Sequence, residues 1–355
     1  MPDTDDQSPP QPLPTLTMAG FEDFEDIVHY IEEITYRIWD LKNIGLIYRY
    51  YTPTTVVHTS DGDTYGRDIV VANSLTKMAG FPDIRDYIDD VVWAGNDRDG
   101  YRTSMRWTWI ARNTGHSIYG PPTGKRVVVT GIANCIVRGE QIIEEWVAYN
   151  ELSLIRQLGL DVRDVLARLR GAGVTMPPRE AFGEADRLVG QGPPPVMPPQ
   201  GTPGFDIEDF VRRAFHEIWN WRLFGKVNDY YAPNYLCHAA SDRELYGLGD
   251  FTQDIMARIA AFPDAVMQID DLYWNDEGDG RYRTAVLWTM LGTHTGPGPY
   301  GPPTGRRVRV LGITNHIVRA GRFVEEWSEW GEFNLLKQLT LPLQGLEMGS
   351  ADGSR

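Results

Sequence analysis

The chain has 355 residues, of which 42% are hydrophobic, and it carries a formal net charge of -15 at pH 7. This charge argues against nucleic acid and anionic membranes as partners, because binding to phosphate needs clustered lysine and arginine. The two cysteines give no disulfide framework, and the sequence shows neither a signal peptide nor a run approaching the ~18 apolar residues of a membrane helix, so we expect a soluble cytoplasmic protein.

The first half of the chain predicts three helices and then a run of strands. Apolar residues at helical spacing predict helices over residues 21–41, 44–51 and 66–78. A short strand over residues 54–59 lies between the second and third helices. Alternating apolar and polar residues predict four further strands, over residues 84–95, 101–113, 125–137 and 141–152. This order predicts an α+β domain in which a curved antiparallel sheet wraps around three helices as a cone.

The second half of the chain repeats the first. The segment Tyr119-Gly-Pro-Pro-Thr-Gly124 recurs 181 residues later at 300–305, and Glu144-Glu145-Trp146 recurs at the same offset at 325–327. His58 and His238 differ by 180, so one residue was gained or lost just after this histidine. Matches in one order at a near-constant offset indicate an internal duplication. The sequence therefore predicts two domains, residues 20–170 and 206–343.

The segment between the two copies has a different composition. Residues 171–205 are rich in proline and glycine, which predicts a semi-rigid linker without regular structure, interrupted by a short helix near residues 180–188. For similar compositional reasons, residues 1–19 and 345–355 are predicted to be disordered.

Several strings of the second copy carry a family resemblance. They are Gly292-Thr293-His294-Thr295-Gly296, Gly301-Pro302-Pro303-Thr304-Gly305-Arg306, Val324-Glu325-Glu326-Trp327 and Leu335-Leu336-Lys337-Gln338-Leu339. Together they resemble the SnoaL-like polyketide cyclases of the nuclear transport factor 2-like superfamily, and the first copy is similar. The resemblance implies a cavity lined by the concave sheet face and capped by the first helices. It also implies pairing through the sheets, so that the tandem copies would form an intramolecular pseudo-dimer.

The same resemblance implies a class of chemistry. Enzymes of this family include cyclases, isomerases, dehydratases and lyases, which use no cofactor and move a proton in a dry pocket. In the cyclases the acid–base residue is an aspartate four residues after the strand tryptophan. That position is Asn150 in the first copy and Gly331 in the second. Asn150 cannot take a proton, although its amide can hydrogen-bond an intermediate, so neither copy matches the cyclase mechanism as usually drawn.

Other side chains are candidates for proton transfer. Glu329 shares a strand face with Glu325 and Trp327, and a carboxyl in an apolar cone would have a raised pKa suited to acid–base catalysis. The alternative is that Glu329 points to solvent or forms an ion pair. His58 and His238 end the first strand of each copy and could transfer protons near neutral pH, or could be core histidines bonded to backbone. No histidine cluster has metal-ligand spacing, so we expect no metal.

Polar residues at matching strand positions are candidates for substrate binding. Asn134 and Asn315 occupy equivalent places, and beside them Cys135 and His316 alternate to the opposite face. One member of each pair is expected to face the cavity. Arg106 stands where the second copy is apolar, so if buried it would need an anionic partner or a ligand oxygen.

Aromatic residues are abundant and favour an aromatic ligand, although most of them are expected to be core or sheet-interface residues. The candidates for the pocket wall are Tyr51, Trp107, Tyr119, Trp146, Trp288 and Trp327. No phosphate-binding loop, dinucleotide fingerprint or serine-hydrolase elbow occurs in the sequence, which disfavours nucleotide and serine-hydrolase chemistry.

These observations leave three hypotheses. The first is a cofactor-independent lyase or dehydratase that breaks a carbon–carbon or carbon–oxygen bond in a hydrophobic aromatic molecule. The second is an aldol-type cyclase or isomerase whose base has moved to another position. The third is a non-catalytic binding scaffold. Divergence between the copies at pocket positions suggests that one cavity is catalytic and the other structural.

Overall fold

A computed structural model describes residues 24–169, 174–175 and 204–344 of the chain. The described residues form two domains that share an order of elements, as the internal repeat predicts, except that the first domain ends with one more helix than the second. The expected tails, the short helix near residues 180–188 and most of the expected linker lie outside the described residues. In the described part of the chain, no helix is both long enough and apolar enough to span a membrane.

The first domain opens with three helices. They are α1 (Ile27–Thr35), which continues as a π-helical turn over Tyr36–Asp40, α2 (Ile47–Tyr50), which follows a 3-10 turn over Ile44–Leu46, and α3 (Arg67–Gly80). The Asp26 side chain caps α1 by accepting a hydrogen bond from the backbone N–H of His29 at 2.8 Å. Ile27, Ile31 and Ile34 are buried on one side of this helix, as the helical spacing predicts.

Six strands form the sheet of the first domain. They are β1 (Tyr51–Thr59), β2 (Gly62–Tyr65), β3 (Arg85–Asn96), β4 (Gly100–Arg112), β5 (Arg126–Arg138) and β6 (Gln141–Tyr149). Their order across the sheet is β2-β1-β6-β5-β4-β3. The fold class is confirmed as α+β, but the sheet is mixed, because β1 runs parallel to β6. Strand alternation alone does not specify the direction in which two strands pair.

Two helices follow the sheet of the first domain, α4 (Glu151–Gln157) and α5 (Val162–Leu169). The alternation of residues predicts a last strand that reaches residue 152, but β6 ends at Tyr149 and α4 begins two residues later. The predicted strand thus includes Leu152 of α4, since short apolar runs suit both structures.

The second domain repeats this plan with α6 (Ile207–Phe215), α7 (Val227–Tyr230), α8 (Gly247–Ala261) and α9 (Glu332–Thr340). Its sheet contains β8 (Tyr231–Ala239), β9 (Arg243–Tyr246), β10 (Val266–Asp276), β11 (Arg281–Thr293), β12 (Arg307–Arg319) and β13 (Arg322–Trp330). A two-residue strand, β7 (Val174–Thr175), pairs in parallel with β14 (Leu343–Gln344). These two residues of the expected linker therefore have regular structure, because the end of the second domain supplies the backbone partners.

The two domains pack against each other through the outer faces of their sheets. The apolar centre of this interface contains Ile132, Ala148, Leu287, Leu311 and Ile313. Around it, polar groups pair across the domains. Arg102 forms an ion pair of 2.5 Å with Asp271, and the Asn275 side chain bonds both the N–H and the carbonyl of Trp93. This is the arrangement of an intramolecular pseudo-dimer.

The turn between the first two strands of each domain docks on the other domain. Asp61 accepts hydrogen bonds from Asn334 and Lys337 of α9, each at 2.6 Å. Its counterpart Asp242 accepts from Asn150 at 2.8 Å and from Ser153 at the start of α4. The pseudo-twofold relation between the domains therefore extends to individual hydrogen bonds.

Candidate active site

A small apolar pocket lies in the second domain between α8 and the concave face of the sheet. We call it the second-domain pocket, and its lining residues are Arg258, Phe262, Trp288, Met290, Tyr300, Val310, Trp330 and Leu335. The residues 181 positions earlier form the first-domain cluster, which contains Lys77, Phe81, Trp107, Trp109, Tyr119, Val129, Tyr149 and Leu154. All of these except Lys77 belong to one contiguous apolar cluster. The two domains thus present equivalent sites with different chemistry.

Lys77 places an amine among the aromatic rings of the first-domain cluster. Its Nζ lies 5.6 Å from the ring centroid of Trp107 and 5.3 Å from that of Trp109. Among the described residues, no carboxylate forms an ion pair with this amine. Burial lowers the pKa of Lys77, and the charge of Asp86 only partly opposes that effect. The side chain is half-buried, so the amine is held in an apolar setting that solvent still reaches.

Asp86 supplies a carboxyl group on the same interior face. It lies opposite Trp109 in the β3–β4 register, and Ile88, two residues on, lies opposite Trp107. The Oδ2 atom of Asp86 is buried and has no hydrogen-bond partner. Burial raises the pKa of Asp86, and the nearby charges of Lys77 and Lys42 oppose the rise. A buried carboxyl oxygen without a partner costs stability, which makes it a candidate for function.

In the second domain, the cation at the position of Lys77 is neutralised by a carboxylate. Arg258, which replaces Lys77, forms an ion pair with Asp254, and its guanidinium lies 4.7 Å from the ring centroid of Trp219. The first domain has Asn73 at the position of Asp254, and the second domain has Met267 at the position of Asp86. Only the first-domain site therefore combines a cation lacking an ion pair with a carboxyl lacking a partner, within the described part of the chain.

A second buried carboxyl lies inside each cone. Glu145 of β6 accepts a hydrogen bond of 3.2 Å from Tyr51 in the first domain. Burial raises the pKa of Glu145 to about 7, and the hydrogen bond from Tyr51 partly opposes this. Cys135 lies nearby, and burial together with the charge of Glu145 raises the pKa of its thiol. Glu145 can therefore bind a proton near neutral pH.

The equivalent carboxyl of the second domain is held in its charged form. Burial of Glu326 favours a raised pKa, but His316, Tyr235 and Arg258 outweigh it, so the pKa lies below its ordinary value. The Nε2 atom of His316 lies 3.4 Å from Oε2 of Glu326, and Tyr235 donates a hydrogen bond to the same oxygen. Neighbouring side chains of the second cone thus stabilise the charge of Glu326.

Five of the residues predicted from the sequence lie on interior faces. Tyr51 contacts Glu145, Trp107 and Tyr119 belong to the first-domain cluster, and Trp288 and His316 lie in the second cone. The Nε1 of Trp288 donates to Thr314 at 2.9 Å, and the hydroxyl of Tyr119 donates to Glu151 at 2.9 Å. His316 bonds Thr284 through Nδ1 at 3.0 Å. Of each Asn–Cys and Asn–His pair, Cys135 and His316 lie on the interior faces, although His316 does not line the second-domain pocket and Cys135 does not belong to the first-domain cluster.

The structure places another group of predicted residues at the interface between the domains. Glu329 accepts a hydrogen bond of 2.5 Å from Thr130, and Asn315 donates one of 3.0 Å to Ser104. The guanidinium of Arg106 lies 3.8 Å from the ring centroid of Trp327. Asn134 is buried with both amide atoms unpartnered. Trp327 and the residues two positions away on the same strand, such as Glu329, face the other domain, because the sheet of one domain covers the outer face of the sheet of the other.

His58 and His238 have matching environments on the outer side of the sheet. The ring of His58 stacks on Trp146 at 4.9 Å, with Nδ1 2.8 Å from Asp63 and Nε2 2.9 Å from Glu144. His238 stacks on Trp327 at 5.2 Å and lies between Glu244 and Glu325. The structure brings neither histidine together with the interior carboxyls.

The two positions that correspond to the cyclase aspartate also contact the other domain. Asn150 donates to Asp242, and its Oδ1 accepts a hydrogen bond of 2.9 Å from the backbone N–H of Ser241. Gly331 lies so close to Ser60 that a Cβ atom would overlap that side chain. At both positions, the turn between the first two strands of the other domain therefore packs against the chain.

Sequence reasoning missed Lys77, Asp86 and Glu145. Comparison of the copies could have found Lys77 and Asp86, since the second copy has Arg258 and Met267 at these positions. Glu145 belongs to a repeated motif, but it lies on the opposite strand face to Trp146, whereas the predicted site residues of this strand lie on the face of the tryptophan. In the part of the chain that the structure describes, no group of three or more histidine, cysteine, aspartate or glutamate side chains is placed to hold a metal ion.

Comparison with known proteins follows the same division of the chain. The family model for the SnoaL-like polyketide cyclases matches residues 25–158 and again residues 209–339. The chain therefore belongs to the SnoaL-like polyketide cyclase family, and it contains two copies of the family domain. Membership in this family indicates an enzyme of the cyclase or isomerase type.

Solved structures each match a single domain. IdmH from Streptomyces antibioticus is 20% identical over 37% of this chain and 99% of its own, with a TM-score of 0.32. TsrD from Streptomyces laurentii is 22% identical over 39% of this chain and 98% of its own, with a TM-score of 0.33. A SnoaL-like polyketide cyclase from Agrobacterium tumefaciens is 17% identical over 38% of this chain and 99% of its own, with a TM-score of 0.32. No curated protein matches the chain.

Proposed function

We propose that the first domain is a cofactor-independent proton-transfer enzyme that acts on a hydrophobic aromatic molecule carrying a carbonyl group. The observation that carries this proposal is the Asp86 carboxyl, whose buried Oδ2 has no partner and which lies across from Trp109. A general base needs a raised pKa and an open position for the proton that it removes, and Asp86 meets both requirements.

Asp86, Lys77 and the two tryptophans beside them each have a role in this reaction. Trp107 and Trp109 provide flat apolar walls against which an aromatic ring can stack. Asp86 takes a proton from the carbon beside the substrate carbonyl, and Lys77 polarises the carbonyl so that the resulting enolate is stabilised. The enolate can then expel a leaving group, as in a lyase or dehydratase, or add to a second carbonyl, as in a cyclase.

The relocation of the base follows from the docking of the domains. The family position for the aspartate is Asn150, which is held by Asp242 and Ser241 of the other domain. We propose that the second domain is mainly a scaffold, because its cation Arg258 is paired with Asp254. This assigns catalysis to one copy and structural support to the other.

Exchange of carbon-bound hydrogen tests the proposal without knowledge of the natural substrate. The full chain is incubated in D2O with 2-tetralone, a bicyclic aromatic ketone with acidic hydrogens beside its carbonyl, and deuterium uptake is followed by NMR. We expect the wild type to accelerate the exchange and Asp86→Asn to lose about 100-fold or more of that acceleration. Asp89→Asn is the matched control, since this exposed aspartate of the same strand bonds Thr108 outside the cone. Equal rates for Asp86→Asn and the wild type would contradict the proposed base.

A further inference from the structure

We infer that Lys77 is a nucleophile that binds the carbonyl carbon of the substrate covalently as an imine. This inference rests on the proposed function and specifies how the carbonyl is activated there. It starts from the contrast between the domains. The fold accepts an arginine that forms an ion pair with Asp254 at this position in the second domain, so packing does not require a lysine without an ion pair in the first.

The ammonium groups of the other lysines with described contacts form hydrogen bonds or ion pairs. Lys42 donates to three backbone carbonyls, Lys226 pairs with Glu217 and Asp229, and Lys337 pairs with Asp61. An amine held by such partners is not free to attack a carbonyl carbon, although burial lowers the pKa of Lys42 as it does that of Lys77. Lys77 instead has two indole rings beside its Nζ and no carboxylate ion pair among the described residues.

Burial of Lys77 favours the neutral, reactive form of the amine, whereas the faces of Trp107 and Trp109 attract its ammonium form. Taking an ammonium group out of water disfavours its charge, and this effect lowers the pKa of Lys77. Desolvated lysines in hydrophobic pockets are activated for attack on carbonyl carbon in this way. A guanidinium stays charged and is not a nucleophile, so Arg258 cannot perform this step in the second domain.

The reaction balances with the groups that are present. The lone pair of the neutral Lys77 amine forms a C–N bond to the carbonyl carbon, and the C=O π electrons move to oxygen. That oxygen takes one proton from the nitrogen and one from the carboxyl form of Asp86, and it leaves as water while the nitrogen forms a protonated C=N bond. The protonated imine then draws electrons from the neighbouring C–H bond, and the Asp86 carboxylate takes that proton. The resulting enamine becomes an imine again when its carbon takes a proton back from Asp86 or when it expels a leaving group. Hydrolysis of that imine by water then returns the amine and releases the carbonyl product.

Reductive trapping tests this step separately from turnover. The full chain is treated with 2-naphthaldehyde and sodium cyanoborohydride, which converts an imine into a stable secondary amine, and the modified lysines are mapped by peptide mass spectrometry. We expect Lys77 to be labelled at least about tenfold faster than the exposed Lys125. Lys125→Arg is the matched control and should leave labelling at Lys77 unchanged. Labelling of Lys77 at the rate of Lys125 would overturn the inference.

A conservative variant separates covalent from electrostatic activation. Lys77→Arg keeps the positive charge, and the second domain shows that the fold accepts arginine at this position. The imine inference predicts loss of 2-tetralone exchange in this variant, whereas retained exchange would overturn it. If Asp86→Asn abolishes exchange and Lys77 is not trapped, the proposed base stands and the imine fails. If Lys77 is trapped and Asp86→Asn exchanges normally, the imine stands and the proposed base fails.

Discussion

The hydroxyl of Thr130 in the first domain donates a hydrogen bond of 2.5 Å to the Glu329 carboxyl in the second. This bond crosses the centre of the interface between the sheets, where the other carboxyl oxygen of Glu329 is buried without a partner. Burial raises the pKa of Glu329 to about 8, with a further rise from the charge of Asp242 and an opposing effect of Thr130. The carboxyl that the sequence suggested for catalysis is thus a buried interface group.

We expect Glu329 to make the protein less stable as the pH rises. In the folded state this carboxyl keeps its proton up to a pH of about 8, whereas in the unfolded chain it loses the proton near 4.5. The folded state therefore binds more protons in this window, and the free energy of unfolding falls across it. Glu329→Gln should remove up to about 4 kcal/mol of that fall.

Denaturant unfolding of the wild type and the variant at pH 5 and pH 9 measures this difference. The exposed Glu25→Gln serves as the control and should leave the pH dependence unchanged. A Glu329→Gln variant whose stability changes with pH just as the wild type does would show that Glu329 is charged in the folded protein.

Gly331 should be intolerant of any side chain. A Cβ atom there would overlap both the hydroxyl and the Cβ of Ser60 in the opposite turn. We expect Gly331→Ala to lower the free energy of unfolding by about 1–3 kcal/mol, since overpacking forces backbone shifts. Ser60→Gly should recover most of this loss, which a double-mutant cycle would measure. Gly225→Ala is the control, because a Cβ at that position meets nothing within 4 Å. Additive effects of the two changes would argue against this contact.

Asn134 has no hydrogen-bond partner across the interface, because the second domain has Ala285 where the first has Ser104. Asn315 bonds Ser104 across the interface, and the pseudo-twofold relation places Asn134 opposite Ala285 in the same way. We expect Ala285→Ser to raise the free energy of unfolding by about 1 kcal/mol, because it supplies a hydrogen bond to a buried amide. Ser104→Ala should cause a loss of similar size. Thermal unfolding of both variants measures these effects, and a lower melting temperature for Ala285→Ser would refute the predicted pairing.

His58 should stabilise the domain edge without taking part in turnover. It lies between Asp63 and Glu144 and stacks on Trp146, outside the first-domain cluster. His58→Ala should cost about 1 kcal/mol of stability through the lost hydrogen bonds and ring contact, while 2-tetralone exchange stays within about twofold of the wild type. His238→Ala should behave in the same way. A loss of exchange by 100-fold in the folded His58→Ala variant would restore the catalytic role that the sequence suggested.

Much of the fold could be predicted from residue patterns. The near-constant offset between Tyr119 and Tyr300 identified the duplication, and the helical and strand periodicities located most elements. The short strand β2 and helices α4 and α5 were missed, because their segments are short and their apolar residues fit more than one period. The parallel pairing of β1 with β6 was missed because it depends on the path of the chain between them, which includes α3 and four other strands.

The candidate site was harder to predict for a different reason. Strand alternation correctly grouped Glu325, Trp327 and Glu329 on one face and Glu326 on the other. It did not indicate which face meets the helices and which meets a second sheet, since both faces are buried in this protein. The polar residues of the interface, such as Asn315 and Arg106, therefore looked like lining of a cavity.

The sequence by itself determined the duplicated α+β architecture, the family and the departure from the cyclase aspartate at Asn150 and Gly331, because these are properties of residue order and local periodicity. Only the tertiary structure decided that those positions dock the opposite turn and that Asp86 and Lys77 share one interior surface. Such groupings depend on long-range packing between strands and helices that are distant in sequence. Periodicity predicts on which face of a strand a side chain lies, but the tertiary structure determines what packs against that face.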